Sequence, residues 1–492
     1  MNPAGDNSHS RATRFLRDFG LYAIGVLGPR LVSFLLLPLY TYFIDRPEEY
    51  GYFDLCLTVV MMLIPVVTLQ LREGAFRFLA TARSDNQRAV VVRHIYRTLM
   101  SSLMITATLV LVLAMLGNVA YLWPTVAMLV AMSVHDVSSQ VCRGLGHTAV
   151  YVRGNLLTTT LVGLLSIVFV GMWHWGIAGI FATQITAHFA GTAYNEWHTH
   201  SLRLLRLPKQ GRGRVAASLM QYCLPLIPIA LCLWVTNNAG RLFVSHYLGF
   251  EANGIYAVAV RFAAIVQTIA LVFYQSWQET SLRQFHAADR DTFFSQMFAH
   301  FVYVLSAVTI VCCFALKFAY PFLVGAHYQR SLRYIYPLML SAALSALATA
   351  FFDPAYQSAR KTGRAMPGIM LSAVVNVGLN IWLVPRCGIG GAAIASVAAF
   401  AMLLIWRVVD TRKMFRLRPG RRVVVAPALA VASALPFYFN PGPWADIAWC
   451  IVCAVVLLMM LPGELRALMH TLTARLFTTR TEKPTERHTT TQ

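Results

Sequence analysis

Apolar runs long enough to cross the hydrocarbon of a bilayer, about 20 residues each, recur along nearly the whole chain and are divided by short polar segments. Within lipid a helix satisfies its own backbone groups, so helices are the expected element. The pattern predicts an all-α polytopic membrane protein with spans at 19–44, 52–71, 98–117, 121–141, 155–174, 177–198, 217–247, 254–277, 297–316, 334–356, 366–385, 388–408, 423–440 and 444–462. Pro225 and Pro228 should break the seventh span near its start.

Composition agrees. Of 492 residues, 57% are hydrophobic and 12% charged, with a mean hydropathy of +0.58, which excludes an ordinary soluble domain. Residues 1–18 are polar and basic, and the first apolar run is longer than that of a cleavable leader, so no cleavable signal peptide is expected. Nine cysteines lie mostly inside apolar segments and read as small buried hydrophobes, with no disulfide framework or zinc-like spacing.

The net charge of +21 would suit nucleic acid, but its placement argues for topology and anionic lipid instead. Basic residues crowd the N-terminal tail, alternate loops (Arg72 to Arg97, Arg143 and Arg153, Arg203 to Arg214, Arg283 and Arg290, Arg360 to Arg364, Arg407 to Arg422) and the tail after Glu464. The opposite side carries only Arg46, Lys317, Arg330, Arg333 and Arg386. The positive-inside rule then places both termini in the cytoplasm.

The chain also repeats itself. Asp136, Gln140, Arg143 and Gly146 recur with identical spacing as Asp353, Gln357, Arg360 and Gly363. Gly176 and Gly179 mirror Gly388 and Gly391, and Glu48 and Gly51 mirror Glu251 and Gly254. Each pair is displaced by six spans, an even number, which predicts two parallel six-helix bundles. The expected organisation is an N-terminal tail (1–18), one bundle (19–198), a basic linker (199–216), a second bundle (217–408), two extra helices (409–463) and a basic tail (464–492).

Three arginines fall within spans. Arg30 stands near the middle of the first, and Arg241 and Arg261 in the outer parts of the seventh and eighth, with Asn237 and Asn238 just before Arg241. A guanidinium at such depth faces protein or a watery cavity, where it binds phosphate well. Snorkelling to the interface or a structural pair with a carboxylate is the plainer alternative. Membrane carboxylates Asp54, Asp136 and Asp353 are candidates for ion coupling. Asp136 and Asp353 read more simply as braces for the loops beside Arg143 and Arg360, and Asp54 as a partner of Arg30 or Arg261. Asn376 and Asn380 share one helix face and either line a cavity or bond between helices. His135 and the Trp173–His174–Trp175 cluster suggest catalysis only superficially; the latter fits an interfacial aromatic belt. No phosphate-cradling glycine loop is present.

The run LYAIGVLGPRLVSFLLLPLYTYF, then EEYGYFDL, LREGAFRFL and the later GIYAVAVRF, resembles Wzx-type polysaccharide flippases of the multidrug/oligosaccharidyl-lipid/polysaccharide exporter (MOP) superfamily. The resemblance spans nearly the whole chain as a diffuse pattern. It implies a MATE-like V of two bundles around a cationic cavity, plus two further helices. It implies translocation of undecaprenyl-diphosphate-linked oligosaccharide repeat units to the periplasmic leaflet of the bacterial inner membrane, for O-antigen or exopolysaccharide synthesis. Arg30, Arg241 and Arg261 would meet the diphosphate. Implied partners are that glycolipid, anionic lipids and a polysaccharide polymerase with its chain-length machinery; no cofactor, metal or catalytic residue is implied.

Three alternatives remain at this point. A lipid II flippase would carry similar anionic cargo. A cation-coupled drug exporter would favour acidic cavities, whereas the deep charges here are mainly arginines. A membrane polymerase or acyltransferase would want a larger outer loop than Lys317 to Arg333 and a basic or metal constellation.

Overall fold

The computed structural model describes residues 32, 35–44, 46–82, 84–116, 120–206, 212–359, 361–418, 420, 422–433, 448–449, 451–453 and 455–456. Arg30, Arg360, most of the first and last expected spans, and both tails lie outside them. Among the described residues every regular element is helical. Residues 35–43 form α1. There follow α2 (Pro47–Val67), α3 (Leu71–Thr81), α4 (Asp85–Leu116), α5 (Leu122–Gly144), α6 (Thr148–Ser166), α7 (Gly176–Thr199), α8 (Arg212–Cys223), α9 (Leu226–Gln284), α10 (Arg290–Leu323), α11 (Leu332–Ala346), α12 (Phe352–Ser358), α13 (Met366–Cys387), α14 (Ile389–Thr411) and α15 (Arg422–Ala432). Eight described helical stretches are long and apolar enough to cross a membrane, one of them containing two expected spans.

The described residues of Met1–Phe285 and Ala319–Thr411 form one compact unit, and those of His286–Phe318 and Arg412–Gln492 a second. In the second unit, Phe294 packs on Phe415 at 4.9 Å and the Arg418 amide donates to Ser295 Oγ at 2.9 Å. In the first, Ala348, Ile369, Phe400 and Leu403 make one apolar cluster, and Trp277 stacks on Phe351 while its indole N–H donates to the Phe351 carbonyl at 2.8 Å.

Local chemistry sets the breaks. Pro47 opens α2, where its missing N–H costs nothing, and Glu48 and Glu49 complement the helix N-terminus. At the far end Leu69 and Gln70 adopt left-handed backbone, and the chain turns into α3. The segment expected as a loop after the second span is therefore helical. Leu71, Ala75 and Leu79 recur every fourth residue and are buried, a stripe that holds an amphipathic helix in place. The seventh span breaks where its prolines predict, between α8 and Pro225. Spans seven and eight meet at Gly249, whose φ of +85° a side chain would strain.

The internal repeat appears in the backbone. Gly176 (φ +55°) and Gly388 (φ +61°) both supply left-handed turns ahead of a helix. Three residues on, a Cβ at Gly179 would press on the Phe169 carbonyl at 3.1 Å, and one at Gly391 would overlap the Leu383 carbonyl. Each helix thus folds back against the end of its predecessor at the same point of each half.

The repeated aspartates pair with arginines from other segments of the chain. Asp136 pairs with Arg72 at 3.0 Å, while Arg143 stacks on Phe76. Asp353 pairs with Arg407 at 2.8 Å, and Arg407, expected in a solvated loop, is completely buried at the end of α14. A buried guanidinium requires a carboxylate and a polarisable neighbour, which Asp353 and the Tyr356 ring supply. Asn376 and Asn380 are buried and bond each other within α13: Asn380 Nδ2 donates to Asn376 Oδ1 at 2.9 Å. None of the eight described cysteines forms a disulfide, and Cys387 is exposed.

Candidate substrate-binding site

The site grows from a crossing of α2 and α9. Gly51 and Gly254, the repeat-related glycines, meet there backbone to backbone. A Cβ on Gly51 would overlap the Phe250 carbonyl, and one on Gly254 the Pro47 carbonyl. Asn253 Nδ2 donates to the Gly51 carbonyl at 2.7 Å and locks the crossing. Tyr328 Oη donates to the Ile44 carbonyl at 3.1 Å, and Tyr42 Oη to that of Phe322 at 3.1 Å, closing the same end with segments from both halves.

Helical spacing then aims the polar side chains. Asp54 and Thr58 follow Gly51 by three and seven residues, so they share its face of α2 and look onto α9. Arg241 answers from α9. Its Nε lies 3.3 Å from Asp54 Oδ2, and its Nη1 donates to Thr58 Oγ1 at 3.1 Å. The pair is well buried, with side-chain exposures of 14% for Arg241 and 4% for Asp54. Arg261 follows Gly254 by seven residues, as Thr58 follows Gly51, so the duplicated position holds a hydroxyl in one half and a cation in the other. The Arg261 guanidinium lies 5.3 Å from the Tyr50 ring centre and 5.5 Å from that of Tyr40, with Asp54 among its electrostatic neighbours. Tyr40 is fixed by a 2.7 Å hydrogen bond to Ser166, and Tyr50 packs edge-on to Tyr328.

These contacts bring together three of the sequence-predicted residues: Arg241, Arg261 and Asp54. The carboxylate pairs with Arg241, because the α2 face carrying it looks onto the seventh span; of the two partners expected for it, Arg261 is an electrostatic neighbour and Arg30 lies outside the described residues. Asn237 and Asn238 spend their amide N–H groups on the Leu233 and Trp234 carbonyls of their own helix, at 2.7 and 3.1 Å. Asp136 and Asp353 sit in separate arginine pairs. Thr58, Tyr40 and Tyr50 escaped the sequence reading. For Thr58 the signal was present: it lies at the repeat position of Arg261.

Chemically, one guanidinium is paired with a carboxylate, and a second lies within electrostatic reach of the same carboxylate. Such a group holds anions through charge-assisted hydrogen bonds, and an oxyanion can compete with Asp54 for the donors of Arg241.

The fold is similar to that of solved transporters. An inward-facing multidrug resistance MATE family transporter of the MOP superfamily matches with a TM-score of 0.63 at 14% identity, covering 80% of this chain and 98% of that one. The lipid II flippase MurJ in an inward closed conformation matches with a TM-score of 0.61 at 12% identity, covering 89% and 97%. A MOP superfamily transporter from Pyrococcus furiosus, described as having a binding pocket of reverse polarity, matches with a TM-score of 0.53 at 12% identity over 81% and 96%. No curated protein matches the chain. The fold is thus MATE-like, with eight described helical stretches long and apolar enough to cross a membrane. The polysaccharide biosynthesis protein family matches residues 15–278, more than half of the sequence, and the chain belongs to that family.

Proposed function

We propose that the protein is a flippase for undecaprenyl-diphosphate-linked oligosaccharide repeat units. It carries them from the cytoplasmic to the periplasmic leaflet of the bacterial inner membrane, with both termini cytoplasmic, for surface polysaccharide such as O-antigen or exopolysaccharide. The observation that carries this reading is the pairing of Arg241 with Asp54, with Arg261 over the Tyr50 ring and within electrostatic reach of the same carboxylate, behind the glycine crossing. A diphosphate and its sugars cannot cross hydrocarbon unaided, whereas the prenyl tail can remain in lipid. A cationic cleft shelters the head group, and bundles 19–198 and 217–408 rock to alternate its access. The Gly51–Gly254 crossing is then the periplasmic seal. Arg30 is the principal phosphate contact, Arg241 and Arg261 take the diphosphate outward, and Asn237 and Asn238 meet sugar hydroxyls. A polymerase and its chain-length partner consume the product.

Lipid II is the second reading, supported by the match to MurJ over 89% of this chain. A polysaccharide-producing strain separates the two. Replacing the protein by Arg30→Ala or Arg241→Ala should abolish surface polymer and accumulate its lipid-linked intermediate, while cell-wall synthesis continues. Full polymer from Arg30→Ala at normal expression would remove Arg30 from the mechanism, and arrested wall synthesis would favour lipid II.

A further inference from the structure

A buried histidine pair lies in the first half, away from the arginines. His135 of α5 is only 7% exposed and sits about 20 Å along its helix from Leu122, at membrane depth. Its Nε2 lies 3.3 Å from Asn155 Oδ1, 3.4 Å from Thr158 Oγ1 and 3.5 Å from Ser139 Oγ. The Asn155 amide is oriented by donation from Nδ2 to the Tyr151 carbonyl at 3.0 Å, so its oxygen faces the ring. Thr158 donates its own proton to the Gly154 carbonyl at 2.9 Å and also presents a lone pair. In this oxygen-lined nest the neutral ring carries its hydrogen on Nε2 and leaves Nδ1 as the base. Nδ1 is buried without a hydrogen-bond partner and faces Gly191 of α7, where a Cβ would lie 3.0 Å from it.

His188, one turn before Gly191, packs edge-on to His135 with ring centres 5.4 Å apart. Its Nδ1 donates to the Gln184 carbonyl at 2.7 Å, which leaves Nε2 as a second base. It is half-buried, and so more open to its surroundings than His135. Helices α2, α3, α4, α6 and α7 all pack against α5. From them, His188 is the titratable group that acts on His135. Asp136, next in the chain, turns to Arg72 of α3; Glu196 of α7 is held by Ser201 at 2.6 Å; Asp54 of α2 is paired with Arg241; Tyr96 of α4 bonds Ser201; and α6 presents the neutral Asn155 and Thr158.

We infer that His135 and His188 form a single-proton site that couples proton movement to transport. The proposal rests on the flippase reading for its cargo. A proton from water reaches His188 Nε2, passes to His135 Nδ1, and returns to water on the other side after the halves rearrange. Two imidazolium rings this close repel, so the pair takes one proton at a time. The carboxylates that could otherwise do this work (Asp54, Asp136 and Asp353) are each committed to an arginine.

The test uses the full chain in liposomes with a fluorescent prenyl-diphosphate oligosaccharide. The readout is the ratio of flipping rates with and without a pH gradient, acid on the Gly249 side. The wild type should show about a tenfold ratio and His135→Gln a ratio near one; Gln keeps a donor for Asn155 while removing the base. A ratio in His135→Gln equal to that of the wild type overturns the proposal. A second readout is the distance between bio-orthogonal spin labels at Glu48 and Glu251 as pH is varied without cargo. It should shift with pH in the wild type and not in a correctly folded His135→Gln. Identical pH responses overturn the site. If the wild type moves no labelled lipid, the flippase reading fails and the spin-label arm alone decides the proton site.

Discussion

Asp54 of α2 and Arg241 of α9 meet at 3.3 Å across the two halves of the repeat, next to the glycines that let those helices touch. The pair holds the crossing together and occupies a guanidinium that an incoming phosphate would use. Removing one partner of a buried ion pair leaves an unpaired charge and typically costs about 3–5 kcal/mol. Arg241→Ala and Asp54→Asn should each lower the melting temperature. Transport should separate them: Arg241→Ala loses tenfold or more in flipping rate, and Asp54→Asn with Arg241→Gln regains stability without regaining transport. Full transport from the double variant would make the pair purely structural.

The glycine crossing sets a second expectation. A methyl group on Gly51 overlaps the Phe250 carbonyl, so Gly51→Ala must push α2 from α9. Overpacking of this kind costs about 1–3 kcal/mol. Spin labels at Glu48 and Glu251 should report a longer distance than in the wild type. An unchanged distance would show that the crossing yields elsewhere.

The two repeat-related aspartates should differ in worth. Arg407, the partner of Asp353, is fully buried, whereas Arg72, the partner of Asp136, is 41% exposed. Asp353→Asn should therefore destabilise by about 3–5 kcal/mol, and Asp136→Asn by about 1 kcal/mol or less. Thermal melting in detergent measures both, and equal shifts would contradict the assignment.

Asn376 and Asn380 make a comparable case without charge. Each keeps one buried amide atom without a hydrogen-bond partner, Nδ2 and Oδ1 respectively. Replacing one leaves the other more poorly satisfied, at about 1–3 kcal/mol, whereas replacing both by Leu removes the polar groups together. The double variant should melt above either single variant.

What could be read from the sequence follows from the physics of each feature. Apolar length marks spans because the bilayer imposes it, and the repeated glycines mark close approaches because no other residue fits them. The α3 helix was missed because its arginines resemble a loop, although Leu71, Ala75 and Leu79 give its buried stripe. Ion-pair partners were illegible for a different reason. Asp54 and Arg241 are 187 positions apart in number, and only the crossing of α2 and α9 brings them together. Asp353 likewise finds Arg407 on α14, rather than an arginine in its own loop.

Movement of the lipid-linked head group between leaflets can be measured in purified form. Liposomes containing the purified full chain are loaded on one side with a fluorescent prenyl-diphosphate oligosaccharide, and the fraction reaching the other leaflet is followed with a membrane-impermeant quencher. The wild type should transfer intact lipid, while Arg241→Ala and Arg261→Ala each slow the transfer by tenfold or more. No transfer above protein-free liposomes, or release of cleaved or elongated sugar, would contradict the account.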